Sequence, residues 1–200
     1  MKISEKVIKI LKNGGVGVLP TDTIYGLVGS ALNKRTVERI YQLKKRSPQK
    51  PFIILIANIS DLKLFGVRLV SDMCQTSVRH VSDTSLTLKR VWPGKVSVVL
   101  QCPKISKRMS YLQPLKKTLA FRLPKEKWLN GLLEKTGPLV APSANWEGEP
   151  PAENIQQAKR YFGERVDFYV NTGKLRGKPS TLAALEKGKL TVLRQGKVKI

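Results

Sequence analysis

Lys44-Lys45-Arg46-Ser47-Pro48-Gln49-Lys50-Pro51 runs straight into Phe52-Ile53-Ile54-Leu55-Ile56. Four cations fall in seven residues. Pro48 and Pro51 keep the segment out of helix, because proline lacks the N–H that a helix interior needs and pushes the residue before it toward extended backbone. The apolar run that follows predicts a buried strand. A cationic loop feeding a buried strand holds positive charge rigidly beside a cleft. Standing alone, the same loop reads equally well as a solvated basic turn.

The surroundings of the loop decide the fold class. Upstream, Asn33 can cap a helix carrying Val37, Ile40, Tyr41 and Lys44, with Leu43 beside them, so Lys44 belongs to the last helical turn. Before that helix, Val16-Gly17-Val18-Leu19 predicts a strand. It ends at Pro20-Thr21-Asp22-Thr23-Ile24-Tyr25-Gly26-Leu27, a hydroxyl-rich segment of the kind that α/β folds place at a ligand. Ile3, Val7, Ile10 and Leu11 form a helical stripe at the start of the chain, stopped by Asn13-Gly14-Gly15.

Downstream, Ser60-Asp61 opens a short helix, and residues 67–80 read as weakly patterned helix. Ser82 or Asp83 caps a helix that ends at Trp92-Pro93-Gly94, and Val96 to Leu100 is a strand. Residues 103–117 form a long, basic, irregular loop, expected to be functional or mobile. Strand 118–122, helix 125–136, short strand 139–141, helix 152–162 and strand 168–170 follow. A hairpin over 181–186 and 189–194, turned at Lys187-Gly188, closes the chain. The alternation predicts one α/β domain over residues 1–200 with a twisted mixed sheet flanked by helices.

Composition narrows the chemistry. Lys and Arg number 37 against 14 Asp and Glu, a net charge of +23, which points to anionic partners such as nucleotides, RNA or a membrane surface. Two cysteines, Cys74 and Cys102, and one histidine, His80, disfavour soft-ligand metal sites and a Ser-His-Asp triad. The N-terminus lacks the apolar core of a secretory signal, and no apolar run is long enough to span a membrane. Both predict a cytoplasmic protein. Dinucleotide-binding and P-loop glycine patterns are absent. What remains is a set of strand-end loops rich in Thr, Ser, Asn, Lys and Arg. Such loops suit phosphoryl or nucleotidyl transfer, in which the protein positions anions and supplies no nucleophile.

Seven short motifs occur in one order: Pro20 to Leu27, Lys44-x-Arg46-x-x-x-Lys50, Trp92-Pro93-Gly94, Arg122-x-Pro124, Ser143-Ala144-Asn145, Pro179-Ser180-Thr181 and Leu193-Arg194-x-Gly196. Together they resemble the YrdC-like family of threonylcarbamoyl-adenylate synthases, in its single-domain (TsaC-type) branch, over nearly the whole chain. The resemblance implies a large positively charged cleft and a reaction in which L-threonine, bicarbonate and ATP give threonylcarbamoyl-AMP and pyrophosphate. The product would feed a downstream threonylcarbamoyl-transferase complex acting on adenosine 37 of tRNA.

The resemblance also implies roles. Thr23, Arg122 and Ser180 fall on threonine. Lys44 and Arg46 fall on the reacting triphosphate as catalytic groups. Arg46, Lys50, Thr118, Ser143, Asn145 and Arg194 fall on ATP. Mg²⁺ would be held mainly through the ATP phosphates, with no direct protein ligand evident. The chain departs from the family pattern at Lys95 (usually Pro), Ser97 (usually Thr) and Leu55 (His in longer members), and Leu182-Ala183-Ala184 replaces an apolar-acidic ending. Two other readings compete: a basic RNA-binding module of the same fold with weak or no catalysis, and a carbamoyl-adenylate role like that of hydrogenase-maturation proteins.

Overall fold

The structure, a computed structural model, describes residues 3–67, 82–112 and 117–200. In chain order the helices are α1 (Glu5–Lys12), α2 (Lys34–Lys44), α3 (Ser82–Val91), α4 (Lys127–Thr136) and α5 (Ile155–Phe162). The strands are β1 (Gly17–Pro20), β2 (Tyr25–Ser30), β3 (Ile53–Leu55), β4 (Val96–Gln101), β5 (Thr118–Arg122), β6 (Leu139–Val140), β7 (Phe168–Tyr169), β8 (Thr181–Glu186) and β9 (Lys189–Arg194). Among the described residues these strands lie side by side in the order β7-β1-β2-β6-β3-β5-β4-β8-β9. The β1–β7, β3–β5 and β4–β8 pairs are parallel and the others antiparallel, so the sheet is mixed, as expected.

Residue alternation along the strands splits the core in two. Leu19, Val28, Leu55 and Leu139 face α1 and α4, which bring Leu11, Leu129 and Leu133. Their neighbours Val18, Leu27, Ile54 and Val140 face the opposite way, onto the side covered by α2, α3 and α5. Each fully buried Leu or Ile removes enough apolar surface from water to contribute about 2 kcal/mol. In α1 the stripe is Val7, Ile8 and Leu11, with Ile10 only half-buried.

Caps come from short polar side chains. Ser4, Asn33 and Asn154 each accept a backbone N–H in the first turn of α1, α2 and α5. Asp61 closes a capping box with Asn58 at the 3₁₀ helix Ile59–Phe65.

Three expectations are corrected. Residues 24–27 are not a continuation of the hydroxyl-rich loop: the chain reverses over 21–24, and Tyr25–Ser30 is a central strand. Glycines at 26 and 29 masked its pattern; a Cβ at Gly29 would fall on Thr36 and Ile40 of α2, so the small residue is what lets the helix approach. Residues 103–117 are not irregular throughout. Lys107–Leu112 forms a 3₁₀ turn with Leu112 buried, Tyr111 donating to Ala31 O and Cys102 N bonded to Lys117 O at the base. Finally, α3 already includes Ser82 and Asp83, so its capping position lies outside the described residues, as do Cys74, His80, Lys116 and the 67–80 helix beyond Val67. Cys102 is a buried thiol pushed up to about 11 by its burial.

Candidate active site

One face of the sheet is left open where α1 and α4 stop. There Ile53 registers with Ala120 and Ala120 with Val99, while Leu182 beside Ser97 extends the same surface. These residues floor a cleft of about 410 Å³. Alternation along β5 puts Thr118 and Arg122 on the face that carries Ala120, so both reach the cleft from a single strand.

The 21–24 turn supplies one wall. Thr21 Oγ1 donates to Ile24 O at 2.7 Å and accepts from Thr23 N at 3.2 Å and Ile24 N at 3.3 Å. It also lies 3.1 Å from Thr23 Oγ1. One buried hydroxyl therefore organises the reversal and holds Thr23 against the cleft. Asp22 in the same turn sits 2.9 Å from Arg122 Nη2, both side chains almost wholly out of water. Arg122 is held at the backbone by Ile56 N bonded to its carbonyl, and Gly94 N, from the Trp-Pro-Gly motif, bonds to the adjoining Leu123 O.

A second wall is the segment 142–145, laid along β2 by Leu27 N to Pro142 O, Ala144 N to Tyr25 O and the Gly26–Ser143 bridge. Lys44 fixes it from behind. Its Nζ donates to Ser143 O (2.5 Å), Asn145 O (2.8 Å) and Asn145 Oδ1 (3.2 Å). Asn145 Nδ2 completes the knot by donating to Trp146 O and Glu149 O. Burial, with Arg46 adding repulsion, pulls the Lys44 ammonium down to about 7. Three acceptors, the number an ammonium can use, act against that shift.

The cationic loop forms the third wall. Arg46 Nε donates to Lys50 O at 3.2 Å, and its guanidinium lies over Phe52. Lys50 Nζ is 2.6 Å from Glu147, whose carboxyl is held below its usual range chiefly by that bond. The last wall is the 179–196 region. Ser180 Oγ is 2.8 Å from Ser97 Oγ, and Ser180 O accepts from Arg194 Nη2 at 3.1 Å. Burial lowers Arg194's pKa, and Arg46 lowers it further, so the two guanidiniums feel each other across the cleft.

Thr23, Thr118, Arg122 and Ser180 thus line one cleft together with Arg46, Lys50, Ser143 and Arg194. Lys44, expected on the triphosphate side, and Asn145, expected on the phosphate and adenosine side of ATP, are instead turned inward behind the wall that carries Ser143. An aliphatic stem pointing into the core and three convergent carbonyl oxygens draw the amine there. Sequence reasoning missed Asp22 and Glu147. The signal for Asp22 was present, since it is the one carboxylate in the hydroxyl-rich stretch; for Glu147 there was none. Ser97 faces the cleft side buried under Ser180, whereas Leu55 pairs with Arg122 in register and is covered by the α1–α4 cluster. Lys95 lies close enough to Asp22 to stabilise its charge, though it does not line the cleft. Among the described residues, no three His, Cys, Asp or Glu side chains are grouped to hold a metal, and no helix is long and apolar enough to cross a membrane.

The family model Sua5_yciO_yrdC, described as "Telomere recombination", matches residues 9–196. A protein of Marinobacter nauticus named threonylcarbamoyl-AMP synthase is 31% identical, over 88% of this chain and 87% of its own length. Crystalline E. coli YciO superposes with a TM-score of 0.76 at 26% identity, over 96% of this chain and 87% of that one. Sua5 of Pyrococcus abyssi, solved with L-threonine, superposes with a TM-score of 0.77 at 27% identity; it covers 98% of this chain, which spans only 56% of that longer one.

Proposed function

The chain belongs to the Sua5/YciO/YrdC family, and from that membership we propose that it is a threonylcarbamoyl-AMP synthase, making threonylcarbamoyl-AMP and pyrophosphate from L-threonine, bicarbonate and ATP. The observation that carries this reading is convergence. Six separated chain segments deliver the hydroxyls of Thr23, Thr118, Ser143 and Ser180 and four cations (Arg46, Lys50, Arg122, Arg194) to one cleft. Those are the groups needed to bind a carboxylate, a hydroxyl and a polyphosphate together.

The chemistry asks for placement rather than a protein nucleophile. The threonine amine adds to the carbon of CO₂ and gives up a proton to yield an N-carboxylate; from bicarbonate the same C–N bond forms as a C–O bond breaks and water leaves. That carboxylate oxygen attacks the α-phosphorus of ATP in line, the new P–O bond forms as the bond to the bridging oxygen breaks, and pyrophosphate leaves with its Mg²⁺. Arg46, Lys50 and Arg194 offset the charge that builds on the phosphates, and Arg's planar fork can take two oxygens at once. Arg122, Thr23 and Ser180 hold threonine. Thr118 and Ser143 face the nucleotide. Lys44 and Asn145 act through Ser143: by pinning its backbone they set the position of that wall. Mg²⁺ enters as part of the nucleotide substrate, ligated by phosphate oxygens and water, because the cleft's own lining is cationic and hydroxylic.

The product serves a cytoplasmic transferase that modifies adenosine 37 of tRNA. The exposed cations Lys104, Lys107, Arg108, Lys125, Lys127 and Lys178 give tRNA a surface to approach, with strong salt dependence. The test is pyrophosphate release with ATP, Mg²⁺ and bicarbonate, with and without L-threonine, and with L-serine as control. Release that needs threonine, with an AMP adduct of the right mass, upholds the reading. Tight, salt-sensitive tRNA binding without release overturns it in favour of an RNA-binding module.

A further inference from the structure

Asp22 is a buried charge that the scheme above leaves without work. Its side chain is fully withdrawn from solvent, and that of Arg122 is 4% exposed. Yet the pair is only partly satisfied. Arg122 Nη2 lies 2.9 Å from Asp22 Oδ1, at ion-pair distance but without hydrogen-bond alignment. Neither Asp22 oxygen accepts a hydrogen bond from another residue, and Arg122 Nε has no partner. A buried ion pair that leaves hydrogen-bonding capacity unused is a poor device for stability, because its desolvation cost is barely recovered. Both backbones are nonetheless rigid: Asp22 by the Thr21 hydroxyl network, Arg122 by the bonds at Ile56 and Leu123.

We propose that Asp22 is the positioning residue for Arg122, and that its charge makes Arg122 select a substrate carboxylate over a phosphate. The idea rests on the synthase reading and deepens it by assigning how one cleft sorts two anions. Arg46 and Arg194 line it beside Lys50, which pairs with Glu147 but is exposed to solvent, and the three together attract any polyphosphate. An uncompensated Arg122 would be a fourth, and ATP or pyrophosphate would compete for the amino-acid position. With a carboxylate beside it, the guanidinium presents a neutral pair, and the field of a neutral pair falls off faster with distance than that of a lone charge. A multiply charged phosphate, attracted largely through the field, gains little from it. A carboxylate gains what it needs, since direct N–H···O bonds to the free edge of the fork remain. Asp22 also removes rotational freedom from Arg122, so the fork's direction is set before substrate arrives.

The test is Asp22→Asn, nearly the same shape without the charge. L-threonine and pyrophosphate binding are measured by calorimetry, with KM and kcat from pyrophosphate release and Tm from a thermal scan. Threonine affinity should fall by roughly tenfold or more while pyrophosphate binds several-fold tighter. KM for threonine should rise more than kcat falls. Both affinities moving in the same direction, or threonine binding left unchanged, overturns the proposal. Should D22N fail to fold, the double variant Asp22→Asn with Arg122→Gln replaces both charges by neutral amides and is compared with R122Q alone. Equal threonine affinity in the two supports action through Arg122, and a further loss in the double variant overturns it. The calorimetric readout separates this proposal from the one beneath it. Opposite shifts in a protein that makes no product leave the sorting role standing and the synthase reading fallen; product formation with parallel shifts does the reverse.

Discussion

Lys44→Met tests whether a buried amine, and not the cationic loop alone, shapes the nucleotide wall. Methionine keeps most of the apolar stem and removes the charge. Two backbone carbonyls, Ser143 O and Asn145 O, lose their donor, as does Asn145 Oδ1. Leaving such groups unpaired costs about 1–3 kcal/mol each, and the relief of no longer burying an ammonium offsets part of that. The net expectation near neutral pH is a loss of about 2 kcal/mol, or about 4–8 °C in Tm for a chain of this size.

The pH dependence is the sharper signature. Folding lowers the Lys44 pKa from 10.5 to about 7. Between those values the unfolded chain binds the proton and the folded one does not, so stability from this group rises with pH. Below about pH 7 both states are protonated and the full penalty stands. Wild type should therefore gain on K44M by about 2 kcal/mol between about pH 7 and about pH 9, near the linkage limit of ~1.4 kcal/mol per unit. Paired thermal scans across that range measure it. A gap that stays constant from about pH 7 to about pH 9 would show that the three carbonyl acceptors offset burial and that both states hold the proton throughout, and would refute the lowered pKa. ATP KM should rise in K44M with threonine KM little changed, because the wall that moves carries Ser143.

Two further substitutions separate charge from scaffold. Arg46→Ala should lower threonine-dependent pyrophosphate release by about 100-fold or more, as loss of a group that stabilises transition-state charge does, with Tm shifted by no more than about 2 °C; retained activity would remove Arg46 from the mechanism. Gly196→Ala places a Cβ onto Pro179 O and the Ser180 backbone. It should cost about 1–3 kcal/mol and raise both KM values, since Ser180 and Arg194 move with that contact. An unchanged Tm in the thermal scan would show that the tail is free to yield.

The strands and helices on either side of Lys44–Ile56 were legible because proline, capping asparagine and apolar periodicity are local signals. So was the terminal hairpin, whose turn at Lys187-Gly188 has both residues at positive φ. Strand β2 was not, because Gly29 answers to the packing of α2 on the sheet and Gly26 to the close approach of Thr21 and Pro142 O, and neither to strand propensity. The same division runs through the site. The motifs of the family resemblance picked out Thr23, Arg46, Arg122, Ser143 and Ser180, and the fold gathers them in one cleft. They could not tell that Lys44, one residue from the loop, points away from it: a helix end allows either direction, and only the carbonyl oxygens of residues 143 and 145, about a hundred positions later, decide. Nor could they pair Asp22 with Arg122. By itself the sequence determined composition, local conformation and the inventory of groups that could bind anions, since those depend on neighbours along the chain. Tertiary structure alone decided which cations meet ligand and which meet protein, because Coulomb and hydrogen-bond energies depend on distances of a few ångströms between residues far apart in sequence.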